Sequence, residues 1–147
     1  MQMAARYLIF DSFIIKKEGE TMPFFIIAGA VNAAIAVAFG AFGAHALKEK
    51  LSAHYLAIWE TAVQYQMFHA IGLLAVGILM SSSLFGASTQ LTWAGYLLLA
   101  GIIIFSGSLY VLSLSGIGIL GAITPIGGVA FIAGWIMLII AAVKYTN

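Results

Sequence analysis

The sequence predicts an all-α integral membrane protein, a four-helix bundle with short connections. Two observations predict it. First, the 147 residues are 63% hydrophobic and only 7% charged, with a mean hydropathy of +1.10. A soluble domain carries roughly 25% charged residues, so this chain has too few to clothe a water-exposed surface. Second, the apolar residues gather into four uncharged stretches, at about 24–44, 61–80, 91–112 and 119–143. Each reaches the ~20 residues that cross ~30 Å of hydrocarbon at ~1.5 Å of rise per residue. Helices close their backbone hydrogen bonds within one segment, whereas barrel strands would show short alternating runs.

The first stretch opens directly behind Met22-Pro23-Phe24. Residues 1–21 differ from the rest: Arg6, Asp11, Lys16, Lys17, Glu18 and Glu20 lie there. This segment is too charged for a span, and Asp11 interrupts any signal-peptide core. Lys17-Glu18-Gly19 back-translates to a ribosome-binding consensus just upstream of Met22. Residues 1–21 are therefore expected to be a non-native extension, with 22–147 a single transmembrane domain. Ala44-His45-Ala46 has the form of a signal-cleavage site, but the apolar run before it is too long for one.

Between the first two stretches, Leu51, Tyr55, Ile58 and Trp59 are expected to form a short amphipathic helix at headgroup level before the second span. Residues 81–90 and 113–118 are polar or glycine-rich turns. Thr124 and Pro125 give the last helix a start signal, as cap and first helical residue, and place it from about Pro125 to Val143. Trp93, Tyr96 and Tyr145 are interface anchors by type and place, while Trp135 is expected deeper.

Composition also excludes. A net charge of +1 gives no case for a nucleic-acid partner, and the absence of cysteine removes disulfides and thiolate sites. His45, His54 and His69 contain no i, i+4 pair, and zinc needs three or four converging ligands. No catalytic constellation, metal set or cofactor is assigned. The expected partners are the lipid bilayer and either a second copy of the chain or a larger membrane complex.

The remaining polar residues fall at one end of each stretch, and alternate threading puts them in one half of the membrane. They form a candidate polar cluster: His45, Glu60, Gln64, Tyr65, Gln66, His69, Ser106, Ser108, Tyr110 and Thr124. Ionisable groups at membrane depth are costly and mark functional positions, and His69 is the deepest of them. Its expected partner is Gln66, a serine or a carbonyl on a neighbouring helix. Gly29, Asn32, Ala36, Gly40 and Gly43 in the first stretch, and Gly127 and Gly128 in the fourth, are expected helix-packing positions, because small residues let backbones approach in lipid. The amides before Gly127 and Gly128 sit at a helix N-terminus, a generic place for an anion or carbonyl.

Four motifs carry a resemblance. Gly-Ala-Phe-Gly-Ala-His-Ala-Leu (40–47), Tyr-Gln-Met-Phe-His-Ala (65–70), Phe-Ser-Gly-Ser-Leu-Tyr (105–110) and Thr-Pro-Ile-Gly-Gly (124–128), followed by Gly134-Trp135, resemble domain-of-unknown-function family 423. That family consists of small bacterial inner-membrane proteins, and the resemblance runs from about residue 22 onward. It implies cytoplasmic termini, whereas Lys48 and Lys50 alone would put the first loop in the cytoplasm. The implied orientation is adopted. No activity comes with the family. The expected function is that of a non-enzymatic accessory or envelope-associated factor. The alternatives are an oligomeric solute or proton pathway lined by Glu60, Gln66 and His69, and a binder of quinone, haem or lipid headgroup.

Overall fold

The computed structural model describes the backbone of residues 2–146 and the side chains of residues 21–146. The expectation for residues 1–21 therefore falls almost wholly outside the described side chains. Helix α1 (Gln2–Phe42) continues into a π-helical turn, Gly43–Leu47; α2 is Ala53–Leu79. Next come α3 (Thr89–Gly101), a π segment (Ile102–Ser106) and α4 (Gly107–Ser115) as one continuous rod. A 3₁₀ turn, Gly118–Ala122, leads into α5 (Thr124–Thr146). Among the described residues, four segments are long and apolar enough to cross a membrane: Thr21–Leu47, Ala53–Leu79, Thr89–Ser115 and Gly118–Thr146. No strand occurs among the described residues.

The rods stop where local chemistry stops them. Ser52 caps α2, accepting from the Tyr55 N–H at 3.4 Å, and Ser88 caps α3, accepting from the Leu91 N–H at 3.2 Å. Gly116, with φ of 70°, ends α4 in the left-handed conformation that glycine tolerates.

Two expectations about helix ends are corrected. The separate headgroup helix before the second span does not exist. No glycine or proline interrupts residues 53–71, so α2 runs unbroken from its Ser52 cap, and Trp59 is buried in the bundle. Nor does Thr124 cap α5. Its hydroxyl lies 3.0 Å from the Ser108 hydroxyl and donates weakly to the Leu120 carbonyl at 3.5 Å. The preceding turn supplies acceptors instead: the Ile126 N–H donates to the Ile123 carbonyl at 3.0 Å.

The second and third spans form the centre. The first span packs almost wholly on α2, and α5 on α3 and its π segment. The main core joins Phe25, Leu73, Val76, Leu91, Leu98 and Phe131. Outward positions such as Ile27, Val37, Ile103, Val129 and Ile139 are exposed aliphatics, as a lipid-facing surface requires. Lipid gives helices no hydrophobic incentive to associate, so close van der Waals fit must do it. Gly29, Ala36 and Gly43, seven residues apart, run along the α1–α2 contact with Asn32 between them. A Cβ on Gly29 would come within 2.9 Å of the Ala70 carbonyl oxygen, and one on Gly43 within 2.7 Å of the Trp59 ring. The Ala36, Gly40, Ala44 row drifts away from α2: Ala36 is buried, Gly40 half-buried and Ala44 exposed.

Gly127 makes the tightest approach of the fourth span, directly against the Phe105 backbone, whereas Gly128 only meets the Phe105 ring edge at 3.9 Å. Gly127→Ala is therefore expected to lower stability by about 1–3 kcal/mol through overpacking. Gly128→Ala should be neutral or slightly stabilising, because alanine is the better helix former. Thermal unfolding in mild detergent checks the contrast; equal melting points for the two variants would contradict it.

Candidate functional site

The polar residues of the four motifs approach one another in part, Tyr110 meeting Gln66 and Ser108 meeting Thr124, but they divide into separate structures, and His69 lies past the middle of α2. The first is a closed hydrogen-bonded network. Asn32 Nδ2 donates to its own helix at the Ala28 carbonyl, 2.8 Å away. Gln66 Nε2 donates to Asn32 Oδ1 at 3.2 Å and to the Asn32 carbonyl at 3.3 Å. The Tyr110 hydroxyl donates to Gln66 Oε1 at 2.7 Å. Gln66 is thus satisfied on both sides while joining the first three spans. An aromatic cluster roofs the network: Trp59 lies against Phe39, Phe42 and Tyr110, with ring centroids 4.6–5.9 Å apart. The Trp59 indole N–H donates to the Phe39 carbonyl at 2.9 Å.

The second structure is a groove of about 460 Å³ lined by Gln64, Tyr65, Phe68 and His69. His69 is the one residue of the four with its side chain buried. It sits 16 residues from Ala53 and 10 from Leu79, or roughly 24 Å and 15 Å along α2. Its partner differs from the expected one. Nδ1 lies 2.7 Å from the Tyr65 carbonyl, one turn back on its own helix. A carbonyl only accepts, so Nδ1 carries the proton in that bond. The ring lies face to face on Phe131 of α5, with centroids 3.4 Å apart and planes at 12°. Tyr65 stacks on Phe105 at 4.3 Å, and Trp135 closes the far side, 5.7 Å from Phe68 and 6.0 Å from His69.

Nε2 of His69 has no hydrogen-bond partner among the described residues. Only one fully buried side-chain polar atom lacks a partner among them, and that atom is Ser106 Oγ. Nε2 is therefore accessible from outside the packed core, and the groove is the open space that His69 borders.

The other sequence candidates stand apart. Ser106, 1% exposed, sits at the end of the π segment with its hydroxyl unpartnered. Ser108 donates to the Phe105 carbonyl at 2.9 Å and meets Thr124. Glu60 is exposed on a smaller groove with Gly40, Ala44, Trp59, Val63 and Gln64. His45 lies exposed in the first π turn, and His54 is exposed beside Tyr55. No three His, Asp or Glu side chains converge among the described residues. Glu60, Gln66 and His69 do not share one lining: Gln66 belongs to the closed network, Glu60 to the rim. Gly127, near the start of α5, packs directly against the Phe105 backbone.

Sequence reasoning passed over Phe105 and Phe131 as ordinary apolar residues, and passed over both π turns. One signal was available for Phe131: Gly127, Phe131 and Trp135 form an i, i+4, i+8 row, placing a gap and two rings on one helix face.

This fold and site define a multi-pass helical membrane protein with an aromatic groove at membrane depth. The chain belongs to the family described as "Protein of unknown function (DUF423)", whose model matches residues 39–128. All four polar motifs lie inside that range. It is 56% identical over 126 residues to the UPF0382 membrane protein SAB0533 of Staphylococcus aureus, covering 86% of this chain and 100% of that one. The UPF0382 membrane protein YwdK of Bacillus subtilis is 57% identical over 124 residues, 84% of this chain and 99% of that one. No solved structure shows a significant match.

The network makes a quantitative prediction. Tyr110→Phe leaves Gln66 Oε1 without its donor at membrane depth and is expected to cost about 1 kcal/mol, within the ~0.6–2 kcal/mol range of such bonds in lipid. Adding Gln66→Leu should cost less than the sum of the two single changes, since the two groups share one bond. Unfolding of both singles and the double in detergent measures the coupling; strict additivity would contradict the network.

Proposed function

We propose that this protein is a non-catalytic membrane binder that holds a lipid-soluble ligand in the groove at His69. The observation that carries the reading is the state of the His69 ring. Its Nδ1–H is engaged by the Tyr65 carbonyl, its face is fixed on Phe131, and Nε2 is left over beside open space. An unsatisfied polar atom at this depth costs free energy unless something bonds to it. A volume of about 460 Å³ with mostly aromatic walls and one directed polar group has the size and character of a small-molecule site. Binding rather than catalysis is supported by what surrounds it. The amides of Gln66 and Asn32 and the Tyr110 hydroxyl are engaged with one another, and the groove lining holds no acid to pair with the imidazole.

A second reading is that of an accessory subunit or envelope-associated factor, alone or as a homo-oligomer. It is supported by the outward face of α1, where Ala30, Ala34 and Ala38 are exposed at i, i+4, i+8, a spacing that lets another helix approach. The proposed location is the bacterial cytoplasmic membrane, with both ends of the bundle in the cytoplasm.

Purification in mild detergent, solvent extraction and mass spectrometry test the first reading. The expected result is a small aromatic or lipid-like molecule near one per chain from the wild type. The amount should fall several-fold in Phe68→Ala, which removes a groove wall without touching the core. A wild-type protein that carries only bulk phospholipid, and gains no stability from any added hydrophobic aromatic compound, would overturn it. A stoichiometric protein partner in the same sample would favour the accessory reading.

A further inference from the structure

The groove has chemical polarity as well as shape. Nδ1 of His69 donates to the Tyr65 carbonyl, and no carboxylate lines the groove to stabilise an imidazolium at membrane depth. The ring is then neutral, with one nitrogen N–H and the other a lone pair. The N–H is already used. The nitrogen left over, on a residue that lines the groove, is an acceptor, and rotation of the ring cannot exchange the two nitrogens without breaking the 2.7 Å bond and the 3.4 Å stack on Phe131. The walls add a second preference. Tyr65 and Phe68 are exposed on the groove, and Phe131 and Trp135 stand behind His69, so flat rings are offered flat or edge-on partners. Gln64, exposed at the rim, offers an amide to any second polar group about one and a half turns of helix from His69.

From this geometry we infer that the groove selects a membrane-soluble aromatic compound in its hydroxyl-bearing form: a phenol or the quinol member of a quinone pair, donating its O–H to His69 Nε2. A quinone carbonyl or an aryl ether is also an acceptor. Placed against Nε2, it sets two lone pairs facing each other and forfeits the bond. The inference rests on the ligand-groove reading above and adds the sign of the selectivity. No electron or proton transfer is involved; the site distinguishes two forms by hydrogen-bond direction.

The test uses the full chain in lipid nanodiscs, kept anaerobic, with three probes built on one tetramethylated six-membered ring: tetramethylhydroquinone, its dimethyl ether, and tetramethylbenzoquinone. Binding is read by quenching of tryptophan fluorescence, Trp135 being the indole beside the groove. The wild type is expected to bind the hydroquinone about tenfold more tightly than either of the other two, as one net hydrogen bond implies. His69→Phe keeps the ring stack on Phe131 and removes the acceptor. It is expected to bind all three alike, at the affinity of the ether for the wild type. Equal affinities of the wild type for all three probes overturn the inference and leave a ligand groove without direction. A hydroquinone preference that survives in His69→Phe overturns His69 as its source. Binding of none of the three by the wild type overturns the ligand-groove reading itself. The wild-type comparison stands even if the variant fails to fold.

Discussion

A polar side chain at membrane depth has no water to turn to, and the arrangement of this bundle follows from how its few polar groups meet that constraint. Gln66 is the decisive case. Its carboxamide has an acceptor and a donor end, and satisfying both from protein fixes which helices stand beside α2 and at what rotation. The Tyr110 hydroxyl must reach one end and Asn32 the other. Once those are in place, the first span lies along α2 through the Gly29, Ala36 and Gly43 row, and the third span lies on the other side. Misrotation of any one of the three would strand an amide in hydrocarbon.

The same constraint explains why the glycines and π turns lie where they do. Hydrogen bonds that span three helices need short interhelical distances, and short distances need positions without a Cβ. Gly43 leaves room for the Trp59 ring, which roofs the network, and Gly127 lets α5 touch the Phe105 backbone. The π segment Ile102–Ser106 inserts an extra residue into the third span, and π turns of this kind often occur at functional sites. It brings Phe105 under Tyr65 and Gly127 at once. With α5 seated there, Phe131 comes beneath His69, and the groove is the space left along the outer side of that stack. Its unfilled acceptor is left by packing that closes off the amides of Gln66 and Asn32 and the Tyr110 hydroxyl.

The fold was legible because it rests on the crudest signal, runs of apolar residues matched to bilayer thickness. Boundaries were less so. Residues 53–60 are too polar to count in a hydropathy window, yet the Ser52 cap and the absence of any breaker extend α2 through them. That the motifs would approach one another was legible in part, since alternate threading brings one end of each span to the same side; His69, 16 residues into α2, lies past its middle. The pairings were not. A helical wheel assumes ~3.6 residues per turn, and one π turn shifts everything beyond it by about 100°. Ser106, Ser108 and Tyr110, close together in the sequence, meet three different environments: no partner, Thr124 and Gln66; residues two apart on a helix do not share a face. Nothing in the residue types announces that an imidazole will stack on Phe131 and take its partner from its own helix.

The direction of selectivity in the groove turns on the protonation pattern of a single ring. Nitrogen-15 magnetic resonance of histidine-labelled full chain in lipid bilayers at neutral pH, with His69 assigned by its loss in His69→Phe, reads it directly. The expected result is a protonated, hydrogen-bonded Nδ1 and an unprotonated Nε2 for His69 in the ligand-free protein. A spectrum with the proton on Nε2, or on both nitrogens, would contradict it.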